Sequence, residues 1–227
     1  MIGLFIVFAV IILVAALGLY RSYQRHKAME AFAAARGWAA LACNDLTLAG
    51  YVPQRLARFG DSHAYDLAYQ IAVNARPAVV FGYTYTDHST DAEGHRTSTS
   101  KNFAILAFQL PGMPPLEVLR HSFFNKLTSI GQHLDSLKLE GDFNKDFDVF
   151  APDNTQIASL SLLTPDTMVL MQDNGRSFSL QIQGDWVIIY GDYKYLAPKT
   201  IDLQIGYAGK LEAELTQKLH GLAPAIQ

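Results

Sequence analysis

The stretch EGDFNKDFDVFAPDN, residues 140–154, sets Asp142, Asn144 and Asp146 at alternate positions, with Asp153 eleven residues beyond the first. That is nearly the oxygen-ligand spacing of a calcium-binding loop, which also requires a glycine at its sixth position and a bidentate glutamate at its twelfth. Counted from Asp142, those positions hold Phe147 and Asp153. A bulky phenylalanine does not take the sharp backbone turn cheaply, and aspartate is the shorter ligand. Phe143, Phe147, Val149 and Ala151 fall on odd positions while Asp142, Asn144, Asp146 and Asp148 fall on even ones. Period two predicts a strand with an acidic outer face rather than a cation loop. A weaker chemistry survives on that strand. Asp146 and Asp148 point the same way about 7 Å apart, a D-x-D pair of the kind some sugar-transferring enzymes use to hold a metal.

A second candidate set is His88, Asp91, Glu93 and His95 in DHSTDAEGHRTSTS, residues 87–100. Metal ligands need packing and outer hydrogen bonds to fix them, so a polar hairpin connection reads as solvated loop instead. His63, His121 and His133 stand singly, and Cys43 is the lone cysteine, which excludes a disulfide framework and a thiolate metal site. Cys43 in ALAC does not follow the apolar run closely enough for a lipidation site, and a half-buried free thiol is the expectation. Tyr190, Tyr193 and Tyr195 are expected to pack the last strand against the closing helix. The nucleophile elbow, P-loop, dinucleotide glycine fingerprint, H-E-x-x-H and C-x-x-C are all missing from the chain. No catalytic, cofactor-binding or metal residue is therefore assigned, and no cofactor is expected.

The elements that would position these residues begin with IGLFIVFAVIILVAALGLY, residues 2–20, uncharged and mostly apolar, followed by Arg21, Arg25 and Lys27. A helix of that length measures about 28 Å, close to a hydrocarbon core. It predicts a bilayer contact through residues 2–20, and the basic flank predicts the N-terminus outside and the folded part at the cytoplasmic face of a bacterial inner membrane. The net charge is −3, and with those three basic residues set apart the rest of the chain stands three charges lower, at −6. An acidic domain without a basic stretch is a poor partner for nucleic acid.

Residues 27–36 continue as helix to a stop at Gly37. DLAYQIAVN (66–74) and AVVFGYTYT (78–86) alternate as half-buried strands, joined by a tight turn at Asn74-Ala75-Arg76-Pro77, and KNFAILAFQL (101–110) is apolar on both faces like a central strand. These three predict an antiparallel meander. LPGMPPLEV (110–118), with three prolines, predicts an extended crossing between halves, and residues 122–139 fit no one pattern. Asp153 is expected to cap a helix carrying Ile157, Leu160 and Leu163, and a second short helix ends at Gly175. SFSLQI and DWVIIYG are strands joined at Gln183-Gly184, and a closing amphipathic helix from Pro198 carries Ile201, Ile205, Ala208, Leu211, Leu215 and Leu219 on one stripe. The fold class is thus α+β. Residues 1–27 form the anchor and its basic flank, 28–110 the helix and meander, and 111–227 the strand, helices, hairpin and closing helix.

ARGW, then FGYTY and FAILAFQLP, then FNKDFDVFAPDNTQIASLSLLTP together resemble a family of bacterial proteins known only as a domain of unknown function. The resemblance spans residues 28–190 and implies bacterial origin and this architecture. Its motifs are strand and turn patterns, so it implies no site residue. The function expected is a non-enzymatic interaction or ligand-sensing module with a protein partner of unspecified identity. The alternative is a metal-assisted enzyme using Asp146 and Asp148. An envelope-facing domain would follow if the anchor inserted the other way.

Overall fold

The computed structural model describes residues 2–43, 46–90, 96–121, 137–139, 141–193 and 196–222. The α+β expectation holds, with one antiparallel sheet of eight strands crossing both halves of the chain. Helix α1 (Ile2–Ala35) leads into β1 (Ala39–Ala40), two 3₁₀ turns (Leu46–Tyr51 and Leu56–Arg58), β2 (Ser62–Val73), β3 (Arg76–Thr90), β4 (Arg96–Gln109) and β5 (Leu116–Arg120). A single helical turn α2 (Phe143–Asp146), β6 (Phe147–Phe150), α3 (Gln156–Ser161), α4 (Pro165–Asn174), β7 (Ser179–Gln183), β8 (Trp186–Asp192) and α5 (Pro198–Leu222) complete it. Strand order is β1-β2-β3-β4-β8-β7-β5-β6.

Because successive strand residues point to opposite faces, the sheet buries two separate clusters. Tyr69, Val80, Leu106, Ile189 and Leu180 face the helices, meeting Met29 and Ala33 of α1, Met171 of α4 and Ile201, Ala208, Leu211 and Leu215 of α5. Phe81, Tyr83, Ile105, Ile188 and Phe150 face the other way, under Leu48 and Leu56 of the 3₁₀ turns and Val52 between them. The closing helix therefore uses the stripe its periodicity indicated, with Ile205 and Leu219 half-buried at its margins. Gln204 sits fully buried in the same face, its Nε2 donating to the carbonyls of Ala104 and Ile189 at 3.2 and 2.8 Å.

Helix α1 ends as its sequence indicates. Gly37 takes φ +67°, the Trp38 amide donates to Ala33 O at 3.0 Å and the Gly37 amide to Ala34 O at 3.1 Å, a Schellman cap. The ring of Trp38 meets Phe32 edge-on at 5.3 Å, closing the cap with an apolar contact.

The membrane-spanning anchor over residues 2–20 is corrected. Among the described residues, no helix is long and apolar enough to cross a membrane. Past Tyr20 the helix carries Arg21, Arg25, Lys27 and Glu30. The rod then continues unbroken to Ala35, where it docks in the protein core. The single-pass inner-membrane localisation drawn from that anchor and its basic flank falls with it.

Other expectations shift in the same way. The acidic strand expected over 142–153 is a helical turn followed by a four-residue strand that ends at Phe150. Phe143 and Phe147 are four apart, which places them on one side of a helix as readily as on one face of a strand. Here they stack with centroids 4.9 Å apart. The polar connection 87–100 is strand as far as its ends are described: β3 and β4 pair out to Thr90 opposite Arg96. The proline-rich crossing 110–118 ends inside β5, a strand between β6 and β7. Asp153 caps nothing, because α3 begins at Gln156 with Thr155 at its cap position, and Ile157 is 88% exposed. Tyr190 packs on the face away from α5, while Tyr193 meets Phe178, which in turn stacks on Tyr207 of α5 at 5.6 Å.

Candidate functional site

Strand β5 is short and enclosed on both faces from Leu116 to Leu119, with only Arg120 at its end exposed, so Glu117 lies largely in the interior. Leu116 and Val118 face the helices, and Glu117 and Leu119 face the 3₁₀ turns. Register sets Glu117 directly opposite Phe150 of β6 on one side and Gln181 of β7 on the other. Three strands thereby present Phe150, Glu117 and Gln181 as one row.

The segment leading into the second 3₁₀ turn lies over this row. Arg55, at the cap of that turn, donates from Nε to Glu117 Oε2 at 2.6 Å. Its guanidinium carbon sits 4.5 Å from the centre of the Phe150 ring. The Gln54 amide donates to Gln181 Oε1 at 3.1 Å, and Gln181 Nε2 donates to Gln183 Oε1 at 3.0 Å. The Arg55 and Glu117 side chains are only 15% and 13% exposed. Burial raises the Glu117 carboxyl above the ordinary glutamate value, against the opposing pull of the Arg55 charge and hydrogen bond. Tyr190 is raised well above the ordinary phenol value by burial, then by the Glu117 charge.

One feature of this pair is not explained by folding alone. Arg55 Nη2 and Glu117 Oε1 are buried without a hydrogen-bond partner among the described residues. An unsatisfied buried polar atom costs about 1–3 kcal/mol, more when charged. A buried ion pair is itself weak evidence for stability, since hydrophobic residues of like volume do as well.

Beside the row opens a cleft of about 530 Å³. Its polar lining is Gln54, Glu117, Asp153, Gln156 and Gln181, and its apolar wall is built from Pro115, Leu116, Leu137, Phe150, Pro152 and Ile182. The volume falls in the range of small-molecule sites, about 300–1,000 Å³, and the mixture of apolar wall and a few convergent polar groups is what such sites require.

Of the acidic residues singled out by spacing, Asp153 alone reaches this cleft. Asp142 pairs with Lys145 at 2.7 Å on the surface, and Asn144 donates to Leu139 O. Asp146 lies at the end of α2, 3.5 Å from Gln172 Nε2 and 3.9 Å from Arg176 Nε. Asp148 faces His121 at 3.3 Å. The D-x-D pair is thus divided between different partners. Among the described residues, no group of three or more His, Cys, Asp or Glu is placed to hold a metal ion. His88 is a paired strand residue, whereas Asp91, Glu93, His95, His133 and Tyr195 lie outside the described residues. His63 Nδ1 and the Tyr83 hydroxyl lie 2.6 Å apart, and Cys43 is half-buried against the second cluster.

No family model and no curated protein matches the chain. A solved structure does: the mycobacterial trehalose monomycolate transport factor A, TtfA. It superposes with a TM-score of 0.56 over 84% of this chain and 93% of that one, at 9% sequence identity. At that identity the likeness shows a shared fold and nothing of the site.

Sequence reasoning missed Arg55 and Glu117. The signal was present in PLEVLR, where one acid interrupts a run of aliphatic residues with no polar alternation around it. That is the mark of a charge held inside a doubly covered strand. Arg55 carried no comparable mark, because its burial depends on a turn folding over a distant strand.

Proposed function

We propose that this chain is a non-enzymatic binding module that takes a small ligand in the cleft between β5, β7 and the loop after β6. The observation that carries it is Glu117 in the cleft wall, buried in a pair with Arg55 that leaves a donor and an acceptor unused among the described residues. Unused buried polar groups concentrate where a protein is built for something other than stability. A binding role also accords with the structural neighbour, which is by name a transport factor. Membership of the bacterial family whose strand motifs it resembles belongs to the same reading. The alternative use of Asp146 and Asp148 in metal chemistry finds no support in their separate partners.

A titration tests the proposal. Protein labelled at side-chain amides is exposed to a set of small-molecule fragments, and the Gln54, Gln156 and Gln181 signals are followed. Binding fragments move these signals, and Gln181→Leu weakens them. A set that leaves the three amides unmoved, alongside turnover of some substrate by the same protein, overturns it.

A further inference from the structure

The polar lining of the cleft narrows what it takes. Gln54, Gln156 and Gln181 each offer a donor and an acceptor, whereas Glu117 and Asp153 offer acceptors alone. An anion entering would meet those two carboxylates. Among the described lining residues none is Lys or Arg, and the nearby guanidinium of Arg55 is already held by Glu117 at 2.6 Å. A cation would fare little better, since the same guanidinium neutralises the deeper carboxylate and leaves Asp153 unopposed only at the mouth. A group that both donates and accepts, and carries no charge, fits the amides and the carboxylates together. Hydroxyls do this, and several on one compact frame match several planar side chains at once. The aliphatic wall of Pro115, Leu116, Pro152 and Ile182 suits the C–H faces of such a frame.

Resting on the binding role proposed above, we infer that the ligand is a neutral, polyhydroxylated molecule of saccharide type. Its hydroxyls donate to Glu117 and Asp153 and exchange hydrogen bonds with the glutamines. Its ring stacks on the aliphatic wall.

Four titrations of the full chain decide it, with glucose, maltose, putrescine and citrate as probes and the Gln54, Gln156 and Gln181 side-chain amides as the readout. Maltose or glucose moves the three amides. Gln156→Ala and Glu117→Gln each weaken that binding about tenfold, the loss of roughly one hydrogen bond. The first variant lies on the short helix α3, away from the buried pair, so it reports even where the second disturbs folding. If putrescine or citrate moves the amides and neither sugar does, the saccharide assignment is wrong while the binding role stands. If a sugar binds with both variants unaffected, it binds elsewhere and the assignment is again wrong. If no probe moves the amides, the saccharide assignment fails, and the fragment set decides whether the binding role fails with it.

Discussion

At the scale of single residues, the Arg55–Glu117 pair decides most. Glu117→Ala leaves the Arg55 charge buried without its counter-ion, and the expected loss is about 3–5 kcal/mol in urea unfolding. Arg55→Met combined with Glu117→Leu removes both charges and both unused atoms, so it recovers most of that loss, and failure to recover would mean the pair stabilises the fold outright. The same carboxyl sets a pH signature. Its folded value lies above the ordinary 4.5 because burial outweighs Arg55. The folded state therefore holds the proton more tightly than the unfolded one. The stability this contributes is fully present below 4.5 and is lost as pH rises through the folded value. Glu117→Gln removes that fall, which appears as a flatter stability difference across the window. None of this was legible in the acid spacing that first drew notice. Asp142, Asp146 and Asp148 turned out to be engaged with separate neighbours, and Asp153 reached the cleft by a loop whose course local sequence does not encode.

At the scale of elements, the β2–β3 turn offers the cleanest test. Val73 pairs with Arg76 across a two-residue turn in which Asn74 and Ala75 have φ +47° and +66°. Both are left-handed, as a type I′ hairpin requires. Asn74 is held there by its side chain, which donates to Gly209 O at 2.7 Å and to Glu212 Oε2 at 3.0 Å on α5. Ala75 is exposed and has no such compensation, so Ala75→Gly should raise stability by about 1 kcal/mol, read as a higher urea midpoint with unchanged slope. A fall in the midpoint would show that chain entropy outweighs the relieved strain at this position. Elements with a clear period were the legible ones: the meander, the hairpin of β7 and β8, and α5 all follow their patterns. The failures have physical causes. Phe143 and Phe147 satisfy two periods at once. β5 follows two prolines and lacks alternation because it is covered on both faces. The polar ends of β3 and β4 extend beyond the core on ladder hydrogen bonds and cross-strand hydroxyl pairs such as Ser89 with Thr97 at 2.7 Å, which composition reads as loop.

At the scale of the whole molecule, three layers meet: helices, sheet, and the 3₁₀ turns that bring Arg55 over Glu117. Helix α1 joins the first layer through its last turns. Among the described residues its first buried side chain is Met29, followed by Ala33, and Arg36 reaches Asp202 of α5 at 2.8 Å. Phe8, Ile12, Leu13, Val14, Leu17 and Leu19 stand exposed ahead of them. Two variants separate the parts. Met29→Ala empties a fully buried site and should cost about 2–5 kcal/mol, since the surrounding helices close only partly over the space. The ion pair of Arg36 with Asp202 is exposed at both ends and should be worth far less. Removing the residues ahead of Arg21 takes away exposed apolar surface but no described core contact. The shortened chain should unfold at the same urea midpoint and with a smaller tendency to associate, followed by light scattering. A lower midpoint would mean that the forward part of α1 packs on this domain after all, and the layer would then have to be drawn longer.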